Sequence, residues 1–330
     1  MTAFYQSAIG NLLPRLPLFV FLLILSPGAL SDLPEIDPER PPGRMVDVGG
    51  YRLHIYCLGQ GSPAVILDAG LGGFSMDWMF VQEQLRGNTQ VCAYDRAGYG
   101  WSDPGPSPRS TDQITEELSA LLSGAGIAPP YVLVGHSFGG YNVEYFAKTH
   151  PRAVAGLVLV DASHPEQAER MPDMPTRANA PDPRRLVTFF NPNVVYTHYP
   201  KSLWFPIMRL LSSPKAMATE QRELLNFTVS AAQVDAAGPL PLVPLIVVTR
   251  GRRVWPEGPM GDAKEKSWAE LQQELAESVP GGRQIIAPNS GHLIQLDEPD
   301  VVAGAVREVL RRSCGVRMAQ DAQPDYSLAC

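Results

Sequence analysis

From residue 45 onward, short apolar runs of strand character alternate with longer runs of helical period. Strands and helices that alternate in this way bury their apolar faces by placing the strands side by side and covering the sheet with helices. The fold class is therefore α/β, a mostly parallel twisted sheet flanked by helices. Tyr51–Cys57 alternates apolar and polar residues and reads as an edge strand with one wet face. Ala64–Leu67, Val91–Tyr94, Tyr131–Val134, Gly156–Val160, Leu245–Val248 and Gln284–Ile286 read as further short strands. Helices are expected at 111–123, from residue 138 to about His150, and at 299–312. In the first, Ile114, Leu118, Leu121 and Leu122 share one face, and Ser110 and Gln113 have the spacing of a capping box.

The alternation breaks between residues 163 and 240, a stretch rich in proline with scattered helical runs. A segment of that length is too long for an ordinary loop. It is read as a helical lid inserted into a core formed by 45–162 and 241–312, with 313–330 as a C-terminal tail. Its apolar residues, among them Phe189, Phe190, Trp204, Phe205 and Ile207, suit either lid packing or an acyl chain. At the other end, Arg15 precedes the apolar run Leu16–Leu25 and the small-residue stretch Ser26–Ser31. That order predicts a secretory signal over 1–31, with an uncleaved membrane anchor as the alternative. Residues 32–44 hold four prolines and read as an extended linker.

A formal net charge of −7 with no long basic run argues against a nucleic-acid partner, which needs clustered cations. Of the four cysteines, Cys57 and Cys92 lie in apolar strand runs and read as buried free thiols. Cys314 and Cys330 flank a polar tail and are a candidate disulfide in an oxidising compartment. No cluster of His, Cys and carboxylates has metal-ligand spacing, so neither a metal nor another cofactor is implied.

The chemistry concentrates at Gly135-His136-Ser137-Phe138-Gly139, between a buried strand and a helix. In a tight strand-to-helix turn the central residue is strained, and small residues two positions away avoid a clash. The turn raises Ser137 Oγ above the sheet. A serine hydroxyl attacks only when a base takes its proton, so a histidine is required. Six histidines are present: His54, His136, His150, His164, His198 and His292. His54 falls within a strand and His150 at a helix end, while His136 is expected to point away from its neighbour Ser137. His292 lies in the loop between the last strand and the last helix, at the carboxyl edge of the sheet where Ser137 also sits.

Residues 45–312 resemble the α/β-hydrolase fold superfamily, serine-nucleophile branch. The resemblance rests on VGHSFGG, on DRAGYGWSD after the preceding strand, and on SGHLIQLDEPD. It implies cleavage of a small carboxylic ester or other acyl substrate through an acyl-enzyme, with Ser137 as nucleophile and His292 as general base. C–C bond hydrolysis on the same residues and a non-catalytic ligand-binding relative are the alternatives. It also implies an oxyanion hole made by the backbone N–H groups of Leu71 and Phe138. Where many relatives carry His-Gly at the start of that loop, this chain has Ala69-Gly70. Many relatives place the triad acid after the strand that is here 245–248, but Thr249-Arg250-Gly251-Arg252-Arg253 follows. Asp161, at the end of the strand after the nucleophile helix, is the first candidate, with Asp262 and Glu257 as alternatives. Asp95 and Arg96 are expected to brace the turn beside the site, with substrate contact as the other reading.

Overall fold

The computed structural model describes residues 36–171 and 192–320. The expected signal or anchor, the first residues of the linker, Phe189, Phe190 and Cys330 lie outside them. So does the Cys314–Cys330 pairing. Eight strands form one sheet: β1 (Arg44–Asp47), β2 (Arg52–Leu58), β3 (Ala64–Asp68), β4 (Val91–Tyr94), β5 (Tyr131–His136), β6 (Val154–Val160), β7 (Leu245–Arg250) and β8 (Arg283–Ala287). Their order is β1-β2-β4-β3-β5-β6-β7-β8, with the β1–β2 and β2–β4 pairings antiparallel and the others parallel. The chain steps from β3 out to β4 and returns to β5 on the other side of β3. That reversal opens a crevice at the carboxyl ends of β3 and β5.

Alternation along each strand feeds two apolar layers. Ile66 and Leu133 pack into one layer, with Leu118 and Leu121 of α2 (after α1, Met79–Leu85; α2 is Thr111–Gly124) and Phe146 of α3 (Phe138–Thr149). Val65, Leu67, Val132 and Val134 pack into the other, with Val81 and Leu85 of α1. Each fully buried leucine contributes about 1.5–3 kcal/mol. Between β6 and β7 lie α4 (Gln167–Arg170), α5 (Pro192–His198), α6 (Trp204–Leu211), α7 (Pro214–Leu225) and α8 (Phe227–Ala236). After β7 come α9 (Pro259–Glu277), α10 (Ile294–Asp297) and α11 (Pro299–Gln320).

Several expectations change. Tyr51–Cys57 forms most of β2, which lies inside the sheet because β1 covers its outer edge. The expected linker is fastened to the domain from Ile36 onward: Ile36 is buried, and Trp101 Nε1 donates to the carbonyl of Asp37 at 3.0 Å. The last helix runs on to Gln320, into the expected tail. Ser110 precedes α2, but its hydroxyl donates to Asp112 Oδ1 at 2.6 Å, so no capping box forms. Cys57 and Cys92 are not free thiols. They face each other across the β2–β4 ladder and form a disulfide. Two runs 35 residues apart gave no sign of their register.

His54 is fully buried, with Nδ1 2.9 Å from Asp95 Oδ2 and Nε2 against the carbonyl oxygen of Pro42. Both neighbours are acceptors, so both ring nitrogens must donate and the imidazole is a cation. Burial opposes that charge, but the Asp95 carboxylate outweighs it and holds His54 above its ordinary 6.5. The stability gained is complete below 6.5 and is lost as pH rises through the raised folded value. Asp95→Asn is expected to cost about 3–5 kcal/mol near neutrality, because it leaves a buried charge unpaired. Its loss relative to the parent should shrink on the alkaline side, read by thermal melting across pH. A penalty independent of pH would refute the charged pair.

Candidate active site

Ser137 links β5 to α3 with φ 50 and ψ −120, a left-handed backbone that side chains other than glycine seldom adopt. The turn closes because its neighbours are small. A Cβ on Gly135 would lie 2.5 Å from the Gly139 carbonyl oxygen, and one on Gly139 would lie 2.5 Å from that of Asp68. Ser137 N–H donates to the carbonyl of Val160 at 3.2 Å, and Ser163 N–H donates to the carbonyl of Ser137 at 3.0 Å. The Ser137 turn is thus stitched to the end of β6, one residue from Asp161.

Asp161 is also left-handed, with φ 41, and is wholly buried. Its Oδ2 lies 2.6 Å from His292 Nδ1, and its Oδ1 accepts from Trp268 Nε1 at 2.8 Å. Burial alone raises a carboxyl, but the His292 ring, Arg250 and Trp268 reverse that and hold Asp161 down to about 2. The carboxylate accepts, so His292 Nδ1 carries the proton and Nε2 is left to take another. Asp262 pairs instead with Arg253 at 2.7 Å on the surface, and Glu257 is exposed. Of the three candidate acids, Asp161 is the one at His292.

His136 does not turn away from the site. Its ring centroid is 4.6 Å from that of His292, and its Nε2 donates to the His292 carbonyl at 2.8 Å. Burial, with the neighbouring His292, pushes the His136 imidazole down to about 3, so it is neutral. Residues 137, 161 and 292 therefore meet through a short chain of bonds. Among the described residues, Ser137 Oγ and His292 Nε2 share no hydrogen bond. In such sites that contact commonly tightens only when substrate binds.

Phe138 opens α3, so its N–H has no intrahelical acceptor. Leu71 lies in the loop after β3, on the wall of a cavity of about 170 Å³ shared with Gly70, His136, Asp77, Tyr199 and Leu293. Tyr199 OH donates to Asp77 Oδ1 at 2.6 Å, and burial raises that carboxyl to about 7. Val194, Leu211 and Glu220, from α5, α6 and α7, complete part of the same wall. Ile207 is buried, but Phe205 is 77% exposed and is not part of this cavity's wall.

Arg96 and Asp95 brace the loops around the cavity. Arg96 donates to Asp68 at 2.7 Å and to the carbonyls of Ala69 and Gly70 at 2.5 and 2.8 Å. It also forks onto Glu223 of α7 with two bonds of 2.9 Å. Asp95 accepts from the N–H groups of Ser75 and Trp101. Three residues here carry no sequence motif: Glu223, Trp268 and Arg250. The one clue was Arg250, standing where many relatives carry the acid.

A family model described as "Alpha/beta hydrolase family" matches residues 65–305. Among curated proteins, the uncharacterized YqjL of Bacillus subtilis is 26% identical over 268 residues, covering 81% of this chain and 89% of its own. A Hormonema carpetanum protein named "Probable transporter efuK" is 23% identical over 299 residues. The match covers 81% of this chain but spans only 42% of that longer protein. Among solved structures, an esterase of Thermogutta terrifontis superposes with a TM-score of 0.58 at 21% identity, covering 83% of this chain and 99% of its own. At that identity the likeness is one of fold. With nearly three quarters of its length matched by the family model, the chain belongs to the alpha/beta hydrolase family.

Proposed function

We propose that this chain is a serine hydrolase cleaving a carboxylic ester through an acyl-enzyme. The observation that carries the reading is the 2.6 Å pair of Asp161 and His292 beside the strained turn of Ser137. Ser137 Oγ attacks the ester carbonyl while His292 Nε2 takes its proton. The N–H groups of Leu71 and Phe138 hold the oxyanion of the tetrahedral intermediate. As that intermediate collapses, His292 returns the proton to the departing alkoxide. Water then repeats the sequence on the acyl-enzyme and releases the acid. Asp161 keeps the imidazole in the productive tautomer throughout.

The α5–α7 helices act as a lid over the cavity, whose volume of about 170 Å³ favours a small-molecule ester or acyl substrate. The N-terminal apolar run together with the Cys57–Cys92 disulfide supports a place outside the reducing cytosol, exported or held at the membrane by that run. Other acyl-transfer substrates use the same machinery, so bond type is set by testing esters, amides and thioesters side by side. A fluorophosphonate probe should label the protein at Ser137, read by mass spectrometry of its peptides. An intact, folded protein left unlabelled would mark a binding protein rather than a hydrolase.

A further inference from the structure

Arg250 ends β7, and its side chain is only 3% exposed. Its guanidinium carbon lies 4.6 Å from the ring centroid of Trp255 and 4.7 Å from that of Trp268, so the cation sits in the corner between two indoles whose planes meet at 66°. One terminal nitrogen donates to Asp161 Oδ2 at 2.7 Å and the other to Glu265 Oε2 at 3.2 Å. Glu265 Oε1 accepts from the N–H groups of Val254 and Trp255 at 2.7 and 2.9 Å, which fixes the loop that carries one indole. The other indole, Trp268, bonds Asp161 directly.

Asp161 therefore has its acceptor sites filled. Oδ1 receives the Arg250 backbone N–H at 3.3 Å and the Trp268 indole, and Oδ2 receives Arg250 and His292. The oxygen that steadies the His292 imidazole is thus shared with a permanent cation. On the serine-hydrolase reading above, we propose that Arg250 is a positioning residue of the catalytic pair. It fixes which carboxylate oxygen faces His292, and by competing for that oxygen it lets the imidazole stay unprotonated, and so able to act as base, at lower pH.

Proximity alone gives this competition its direction. A charge-assisted bond from Arg250 withdraws part of the Asp161 field that would otherwise hold a proton on His292. The other titratable groups around the pair are few. His136 faces His292 and is neutral, Glu265 faces Arg250, and Asp297 bonds Gly291 N–H at 3.1 Å while pairing with His198 at 3.1 Å. Glu265 draws Arg250 away from Asp161, so removing its charge should act opposite to removing Arg250.

The test is the rate of fluorophosphonate labelling of Ser137 as a function of pH, in full-length protein. Arg250→Gln should move the acid limb of that profile up by about one pH unit. Glu265→Gln should move it down, and Arg250→Lys should keep it near the parent position at a reduced rate. If Arg250→Gln fails to fold, the opposed shift in Glu265→Gln still decides. Acid limbs that coincide in the folded variants, with only melting temperatures changed, would leave Arg250 a structural brace and overturn the proposal alone. Labelling that persists after Ser137→Ala would overturn the serine-hydrolase reading as well, so the two failures are distinguishable.

Discussion

Ser137→Ala is expected to lower turnover of a p-nitrophenyl ester by on the order of 10⁴–10⁶-fold, because the nucleophile and its partners act as one unit. Alanine keeps the Cβ that Ser137 already carries at φ 50, so the turn bears no new strain and the fold should survive. The loss should fall on kcat and leave KM nearly unchanged, since the hydroxyl reacts rather than binds. Residual cleavage from the oxyanion hole should remain measurable above the rate in water. Activity within about tenfold of the parent would move the nucleophile to another residue. Melting curves of the two proteins, taken together, would exclude unfolding as the cause.

Asp161→Asn is expected to cost about 10⁴-fold in kcat, by releasing His292 from its productive tautomer. In the parent, Oδ2 accepts from His292 Nδ1 at 2.6 Å, and Nε2 is thereby left free for the serine proton. An asparagine amide placed there can donate to Nδ1, which would put the ring proton on Nε2 and block the base. The same change takes the carboxylate partner from buried Arg250, so a drop in stability accompanies it. The two effects separate because the rate loss should persist well below the melting temperature. Asp262→Asn is the control. Its carboxylate pairs with Arg253 at the surface, where such pairs contribute little, and activity should stay at the parent level. The reverse ranking of the two variants would transfer the acid to Asp262.

Much of the site was legible because the alternation of strands and helices constrains where loops emerge. Once 131–134 and 284–286 were parallel strands, Ser137 and His292 had to leave the sheet at one edge. Asp161 was legible for the same reason, as the residue that ends the strand next to the nucleophile turn. Its choice over Asp262 and Glu257 needed distances, since all three follow strands on the same edge. His136 was misplaced by a simple rule of alternation. His136 still belongs to β5, and it is Ser137, at φ 50, that leaves strand geometry, so alternation does not carry across the turn. Both side chains lie beside Gly70, and the His136 ring bonds the His292 carbonyl.

Local pattern determined the fold class and the candidate nucleophile and base, because a strand, a tight turn and a helix each leave a signature within a dozen residues. Tertiary structure alone decided the Cys57–Cys92 bond, which depends on register between strands that are not neighbours in sequence. It alone brought Glu223 to Arg96 and Arg250 to Asp161, across 127 and 89 positions. A buried charge leaves no periodic trace along the chain. Its partner is set by where two distant segments converge, and only folding fixes that point.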